Sequence, residues 1–246
     1  MQYMISQDVH SLGKAAAEKG GSLIKEAIRR KGSATIVLAT GMSQVATLKA
    51  LIETRDIDWS VVTAFHLDEY VGIDANHPAS FRRYLRERFV EKAPGLRAFH
   101  FVDGSSPDPA EECARLNRLI AEHPVDVAFI GIGENAHLAF NDPPADFETT
   151  VPFIVVELTD SCRRQQVGEG WFDSEADVPT HAISMSIQQI MDAGHLIVSA
   201  PDRRKADAVR CAIEGPIVNS CPASILQQHD SCYLFLDPES ASSLSD

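Results

Sequence analysis

The sequence predicts an α/β domain of three layers, with helices on both faces of a mostly parallel sheet. Three observations carry that expectation. Short apolar runs of strand length alternate with amphipathic stretches of helix length, the links between them are short, and 246 residues suffice to bury one substantial core. A single domain over residues 1–246 follows. Residues 8–30 open it as a helix, with Val9, Leu12, Ala15, Ala16, Leu23 and Ala27 at helical spacing and Gly20-Gly21 as its weak point. A strand over 34–39 runs into the turn Thr40-Gly41-Met42-Ser43-Gln44, which feeds a helix through Val45, Leu48, Leu51 and Ile52. The unit repeats: a strand at 60–66 ends in Leu67-Asp68-Glu69-Tyr70, and Pro78 opens a helix through Phe81, Tyr84, Leu85 and Phe89. A strand at 96–102, a helix at 109–120 and a buried strand at 125–130 follow, the last stopping at Gly131. Beyond Pro143-Pro144 come a β-branched run at 153–158 and a helix at 160–166 that exposes Arg163 and Arg164. Strands at 181–185 and 196–199 flank a short helix at 186–192, Asp202 caps another helix, and a strand at 232–236 closes the sheet.

With 35 acidic against 22 basic residues the formal charge is −13, which argues against a nucleic acid or an anionic membrane surface as partner, since either needs a broad basic face. An anionic ligand must then find a local basic pocket. The five cysteines, at 113, 162, 211, 221 and 232, are odd in number and include no C-x-x-C pair. Neither a disulfide framework nor a structural zinc site is expected, and a reducing compartment is. The start of the chain lacks a basic flank before an apolar core, and no apolar run approaches about 18 residues, so a soluble cytoplasmic protein is expected.

The densest polar grouping follows the strand at 125–130. Ligands of open α/β sheets collect outside the carboxyl ends of strands, and this end delivers Glu134, Asn135, His137, Asn141 and Asp142 within nine positions. A lone histidine is more often structural, but His137 with a carboxylate five residues on can exchange protons near neutral pH. Gly131-Ile-Gly133-Glu-Asn-Ala136 also fits a dinucleotide fingerprint, yet that motif needs a longer helix than Pro143 and Pro144 allow. Ser43, Asp68 and His137 fall in the order of a serine hydrolase; Val45 in place of the closing glycine of the elbow speaks against one. Thr40, Gly41, Met42 and Ser43 read either as a helix cap and turn or as a phosphate site made of free backbone donors. Asp68 and Glu69 are either a solvated turn or cap, or a site of which only one is a member, because neighbours on an extended stretch point opposite ways. Arg203, Arg204 and Lys205 in a first helical turn oppose its dipole by about 0.3–1 kcal/mol each unless an anion sits among them.

Four stretches together resemble the glucosamine-6-phosphate deaminase/isomerase family, related to the 6-phosphogluconolactonases: Leu-Ala-Thr-Gly-Met-Ser at 38–43, Leu-Asp-Glu-Tyr-Val-Gly at 67–72 with His77-Pro78, residues 131–143, and Lys205-Ala-Asp-Ala-Val with Glu214-Gly215. The resemblance implies a three-layer, Rossmann-like α/β/α domain. It implies conversion of glucosamine 6-phosphate and water to fructose 6-phosphate and ammonia, with no cofactor and no metal. His137 would open the sugar ring, supported by Asn135 and Asp142, and Asp68 would move the C2 proton to C1. Thr40, Gly41, Met42, Ser43 and Lys205 would hold the phosphate, joined by Arg163 or Arg164, with Glu69 and Gly133 also lining the substrate. Asn135-Ala136-His137 stands where the family has Asp-Gly-His, and Asp142 where it has a glutamate. The loss of a carboxylate at 135 removes one anion that would raise the histidine pKa, and Ala136 tolerates positive φ less well than glycine. A lactonase-type hydrolase and a non-catalytic sugar-phosphate-binding regulator are the alternatives on the same fold. Gluco or galacto stereochemistry and assembly into a homo-oligomer are left open.

Overall fold

Apolar runs become strands and amphipathic stretches become helices over residues 1–245, which this computed structural model describes. In chain order the first half comprises β1 (Gln2–Ile5), α1 (Val9–Lys31), β2 (Ala34–Leu38), α2 (Val45–Glu53), β3 (Val62–His66), β4 (Asp68–Tyr70), α3 (Phe81–Arg88), β5 (Ala98–His100), α4 (Pro109–Ala121) and β6 (Val127–Ile130). The second half comprises β7 (Phe153–Glu157), α5 (Asp160–Gly168), β8 (His181–Met185), α6 (Ile187–Met191), β9 (His195–Ala200), α7 (Ala206–Glu214) and β10 (Cys232–Leu236). Seven strands form a parallel sheet in the order β1-β10-β9-β6-β2-β3-β5. The order reverses between β2 and β6, so the loops leaving these two neighbours diverge and open a crevice at their carboxyl ends.

Alternation along the strands sets the three layers. Val127 and Phe129 of β6 join a cluster with Leu12, Leu23 and Ile24 of α1 and Leu48 and Leu51 of α2, whereas Ala128 and Ile130 face Leu116 of α4 and Val209 of α7. Three strands depart from the expected single sheet. β7 and β8 pair antiparallel with each other, and β8 pairs antiparallel with β4, forming a second sheet β4-β8-β7. The chain changes sheets at Leu67, one residue after β3 ends. Around the small sheet Tyr70, Phe81, Phe140, Leu158 and Phe172 make a third apolar cluster. β1, with every residue exposed, has no apolar alternation and was not foreseen from the sequence.

Two features go beyond the expected elements. α1 runs unbroken through Gly20-Gly21, and a Cβ on Gly20 would overlap the Phe129 ring, so glycine here lets helix and sheet approach. Cys211 of α7 and Cys221 are paired as a disulfide, with Cα atoms 6.6 Å apart, while Cys113, Cys162 and Cys232 are free and buried. Their spacing of ten residues matches no motif that the sequence could have signalled. Among the described residues no helix is long and apolar enough to cross a membrane. Gly20→Val is expected to destabilise the fold by about 1–3 kcal/mol through overpacking, read as a lower urea midpoint at unchanged slope; an unaltered midpoint would show that Phe129 can swing aside.

Candidate active site

Four strand ends and one helix of the small subdomain enclose a cleft of about 300 Å³, at the lower end of the range for small-ligand pockets. After β2, Gly41 adopts φ 87° and the chain tightens into a 3-10 turn, Met42–Gln44, that runs directly into α2. The first N–H groups of such a turn have no acceptor within it and are free for an anion. Buried Gln44 locks the turn to the neighbouring strand, its Nε2 donating to the Ile130 carbonyl at 3.0 Å, and Tyr84 Oη donates to the Gly41 carbonyl at 2.9 Å. Thr40, Gly41, Met42 and Ser43 all line the cleft.

The loop after β6 carries the proton-transfer candidates. Ala136 sits at φ 67° and Ala139 at φ 52°, left-handed positions that disfavour alanine and hold the chain in a tight turn. Gly133 lies against His137 so closely that a Cβ would overlap the imidazole. His137 Nδ1 is 3.1 Å from Asp142 Oδ1, Asn135 Nδ2 donates to the same oxygen at 2.9 Å, and the Asn135 Oδ1 accepts the His137 N–H at 3.2 Å. The other carboxylate oxygen accepts from the Thr159 hydroxyl at 2.7 Å and from its N–H at 3.3 Å. Burial alone would raise the Asp142 carboxyl, but the bonds from His137, Asn135 and Thr159 and the charge of His137 outweigh it and lower the pKa to about 2. Asn141 stays out of the cleft, its Nδ2 donating to the carbonyls of Leu138 and Met185 at 2.8 Å each and pinning the loop to β8. His137, Asp142 and Cys162 bring N, O and S donors within 4.8 Å of one another, the one such grouping among the described residues, but His137 and Asp142 already use theirs on each other.

Asp68 and Glu69 are separated by the pleat of β4. Asp68, 6% exposed, lines the cleft; burial first, and the charge of Glu69 second, push its pKa up to about 8. Glu69 points the other way and caps α3, accepting from Ser80 Oγ at 2.8 Å and from the N–H groups of Phe81 and Arg82 at 3.2 and 2.9 Å. It therefore does not line the substrate cleft, and of the two carboxylates only Asp68 does.

At the opposite end, Asp202, at φ 88°, caps a 3-10 turn of Arg203–Lys205 by accepting the Arg204 N–H; α7 proper begins only at Ala206. Lys205 is buried at the cleft wall, and burial lowers its pKa. Arg204 pairs with Asp202 at 2.9 Å and Glu134 at 3.3 Å. Behind the cleft, the Ala223 N–H donates to the Ala136 carbonyl at 2.9 Å, tying the segment after α7 to the histidine turn. Arg163 and Arg164 do not line the cleft: Arg163 bonds the Glu175 carbonyl and approaches Asp160, and Arg164 is exposed. Their helix instead presents Gln165, Gln166 and, just beyond it, Glu169, followed by Trp171. Gln165 Oε1 accepts the Glu134 N–H at 3.1 Å and Gln166 Oε1 accepts the Tyr70 hydroxyl at 2.6 Å. None of these was foreseen; Thr159, a threonine three residues before Cys162 and N-cap of α5, is the one with a readable capping signal.

Residues 7–234 match the family described as glucosamine-6-phosphate isomerases/6-phosphogluconolactonase. The chain is 40% identical over 230 residues to a glucosamine-6-phosphate deaminase of Listeria monocytogenes serotype 4a (strain HCC23), covering 94% of this chain and 96% of that protein. It is 37% identical over 246 residues to a glucosamine-6-phosphate deaminase of Exiguobacterium sibiricum, covering 94% of that protein. A solved monomeric glucosamine-6-phosphate deaminase superposes with TM-score 0.89 at 30% identity, over 99% of this chain and 100% of that one. A 6-phosphogluconolactonase from Shewanella baltica superposes at TM-score 0.77 and 20% identity, a likeness of fold alone. With the family match spanning most of its length, this chain belongs to the glucosamine-6-phosphate isomerase/6-phosphogluconolactonase family.

Proposed function

We propose that the protein is a glucosamine-6-phosphate deaminase, releasing ammonia as it converts the amino-sugar phosphate to fructose 6-phosphate. The observation that carries this reading is the presence, in one cleft, of Asp68 and a carboxylate-held His137 together with the Gly41 turn and Lys205. Relatives 37–40% identical are deaminases, whereas likeness to the solved lactonase reaches 20%. A sugar phosphate does not cross a bilayer unaided, which supports a cytoplasmic site of action.

The chemistry follows from the parts. The substrate phosphate lies on the turn at residues 40–43 and against Lys205, through charge-assisted hydrogen bonds. His137 moves a proton between the anomeric hydroxyl and the ring oxygen, opening the ring to an aldehyde. Asp142 and Asn135 hold the imidazole in place through their hydrogen bonds. Asp68 then takes the proton from C2, acidified by the neighbouring carbonyl, and the electron pair forms the C1–C2 double bond of an enolamine. Returning that proton to C1, as a second proton passes from the amino nitrogen to the former aldehyde oxygen, gives an imine at C2, and water adds there to release ammonia and leave the ketose. A carboxylate whose burial raises its pKa toward the working range is a stronger base than a solvated one, and the carboxyl it becomes keeps its proton until C1 takes it.

Asp68→Asn is expected to lower turnover by about 10²–10⁴-fold in an ammonia-release assay while calorimetry still registers binding; near-normal rates would remove Asp68 from proton transfer. His137→Gln should lose activity on the cyclic sugar and recover part of it on an analogue already open-chain, and equal loss on both would place the histidine elsewhere in the sequence of steps. Because Asp68 must be ionised and its folded pKa is raised to about 8, kcat/KM should rise with pH up to about 8 and then level. The same shift means that the folded state holds a proton the unfolded state has released, so Asp68 costs stability increasingly as pH climbs from about 4 to about 8. Asp68→Asn should accordingly gain stability relative to wild type across that window and none below it, as read by thermal unfolding at several pH values.

A further inference from the structure

The anion end of the cleft holds a carboxylate that the chemistry above does not use. Glu169, half-buried at the end of α5, accepts from Gln165 Nε2 at 2.8 Å and from Trp171 Nε1 at 3.1 Å. Its Oε2 lies 4.0 Å from where a Cβ on Gly41 would stand, so the charge faces the opening residue of the anion turn. Arg204 is already paired with Asp202 and Glu134, whereas Lys205 makes no ion pair within 4.0 Å among the described residues. A phosphate entering between Lys205 and the turn therefore meets a like charge held in place by two hydrogen bonds.

We infer that Glu169 sets the strength of phosphate binding, holding the affinity for the phosphate group below what Lys205 and the Gly41 turn alone would give. The inference rests on reading this end of the cleft as the phosphate end. The phosphate is remote from C1 and C2, so its binding is nearly the same in ground and transition states; strengthening it would lower KM without raising kcat and would slow release of a product bearing the same group. A carboxylate beside the phosphate weakens that uniform contribution and leaves recognition to the end where Asp68 and His137 act. At a partly exposed site the repulsion is screened, and an effect of about three- to tenfold is expected.

The test is calorimetric titration of wild type, Glu169→Gln and Gln165→Ala with inorganic phosphate, beside KM for glucosamine 6-phosphate and for unphosphorylated glucosamine. Glu169→Gln should tighten inorganic phosphate about three- to tenfold and lower KM for the phosphorylated sugar by a similar factor, the change falling on KM rather than kcat and sparing glucosamine. Gln165→Ala keeps the charge while removing one of its donors, and should bind phosphate no more tightly than wild type. Unchanged or weaker binding by Glu169→Gln overturns the inference, as does equal tightening by Gln165→Ala, which would assign the effect to loosening of the segment rather than to charge. Absence of ammonia release would refute the deaminase reading alone, since the phosphate titration does not depend on turnover. Failure of wild type and both variants to bind phosphate would refute the phosphate-end reading and this inference with it.

Discussion

The carboxylate of Asp142 is the joint on which the rest of the site depends. It gathers hydrogen bonds from the Asn135 side chain and the His137 ring in its own loop, and from the hydroxyl and N–H of Thr159, which caps α5. The loop belongs to the large parallel sheet and α5 follows a strand of the small antiparallel one, so a single ionised group fastens the two. A buried carboxylate is costly unless it is well supplied with donors, and here the donors suffice to keep it charged. The pairing of Asn135 with Asp142 also gives the departures from the family pattern a common reason. An aspartate at 135 would set a second carboxylate about 3 Å from the first, where like charges raise each other's pKa, while an amide donates to it.

The two sheets divide the work. Strand ends of the large sheet place the Gly41 turn and the histidine loop on either side of the β2–β6 switch, and Gln44 ties the turn to the last residue of β6. The small sheet brings in Asp68, the proposed base: β4 pairs it with Ser184 of β8, and the pleat turns Glu69 away from the cleft to cap α3. Adjacent acids thus have separate duties, one poised in the cleft and the other anchoring a helix.

Much of this was legible in the sequence because it is local. Strand-to-loop breaks at Thr40, Leu67 and Gly131 mark where side chains leave the sheet, and the spacing of His137 and Asp142 is short enough for the loop to bring them together. What was not legible depends on long-range pairing. That β7 and β8 leave the parallel sheet is decided by their pairing with each other and with β4, which no periodicity encodes. The direction of Arg163 away from the cleft follows from the rotation of α5 fixed by Thr159 and Gln166, and a one-residue error in that rotation exchanges an arginine for a glutamine at the cleft wall. Alternation on an extended stretch narrowed Asp68 and Glu69 to one, yet only the donors clustered at the start of α3 show which. Gly20 of α1 reads as weakness where it serves contact with Phe129, since the partner lies more than a hundred residues away.

The bond from Ala223 to Ala136 gives the cleft a fixed gauge. Lys205 stands just ahead of α7, and the segment behind that helix is strapped to it by Gln227, which donates to the carbonyls of Ala212 and Gly215 at 3.0 and 2.9 Å. The same segment holds the Ala136 carbonyl beside His137. The helix and the segment behind it thus form one packed unit that meets the cleft at Lys205 and the histidine turn at Ala136. A shift of that unit would carry Lys205 and the turn at Ala136 together, so these two walls of the cleft keep their separation.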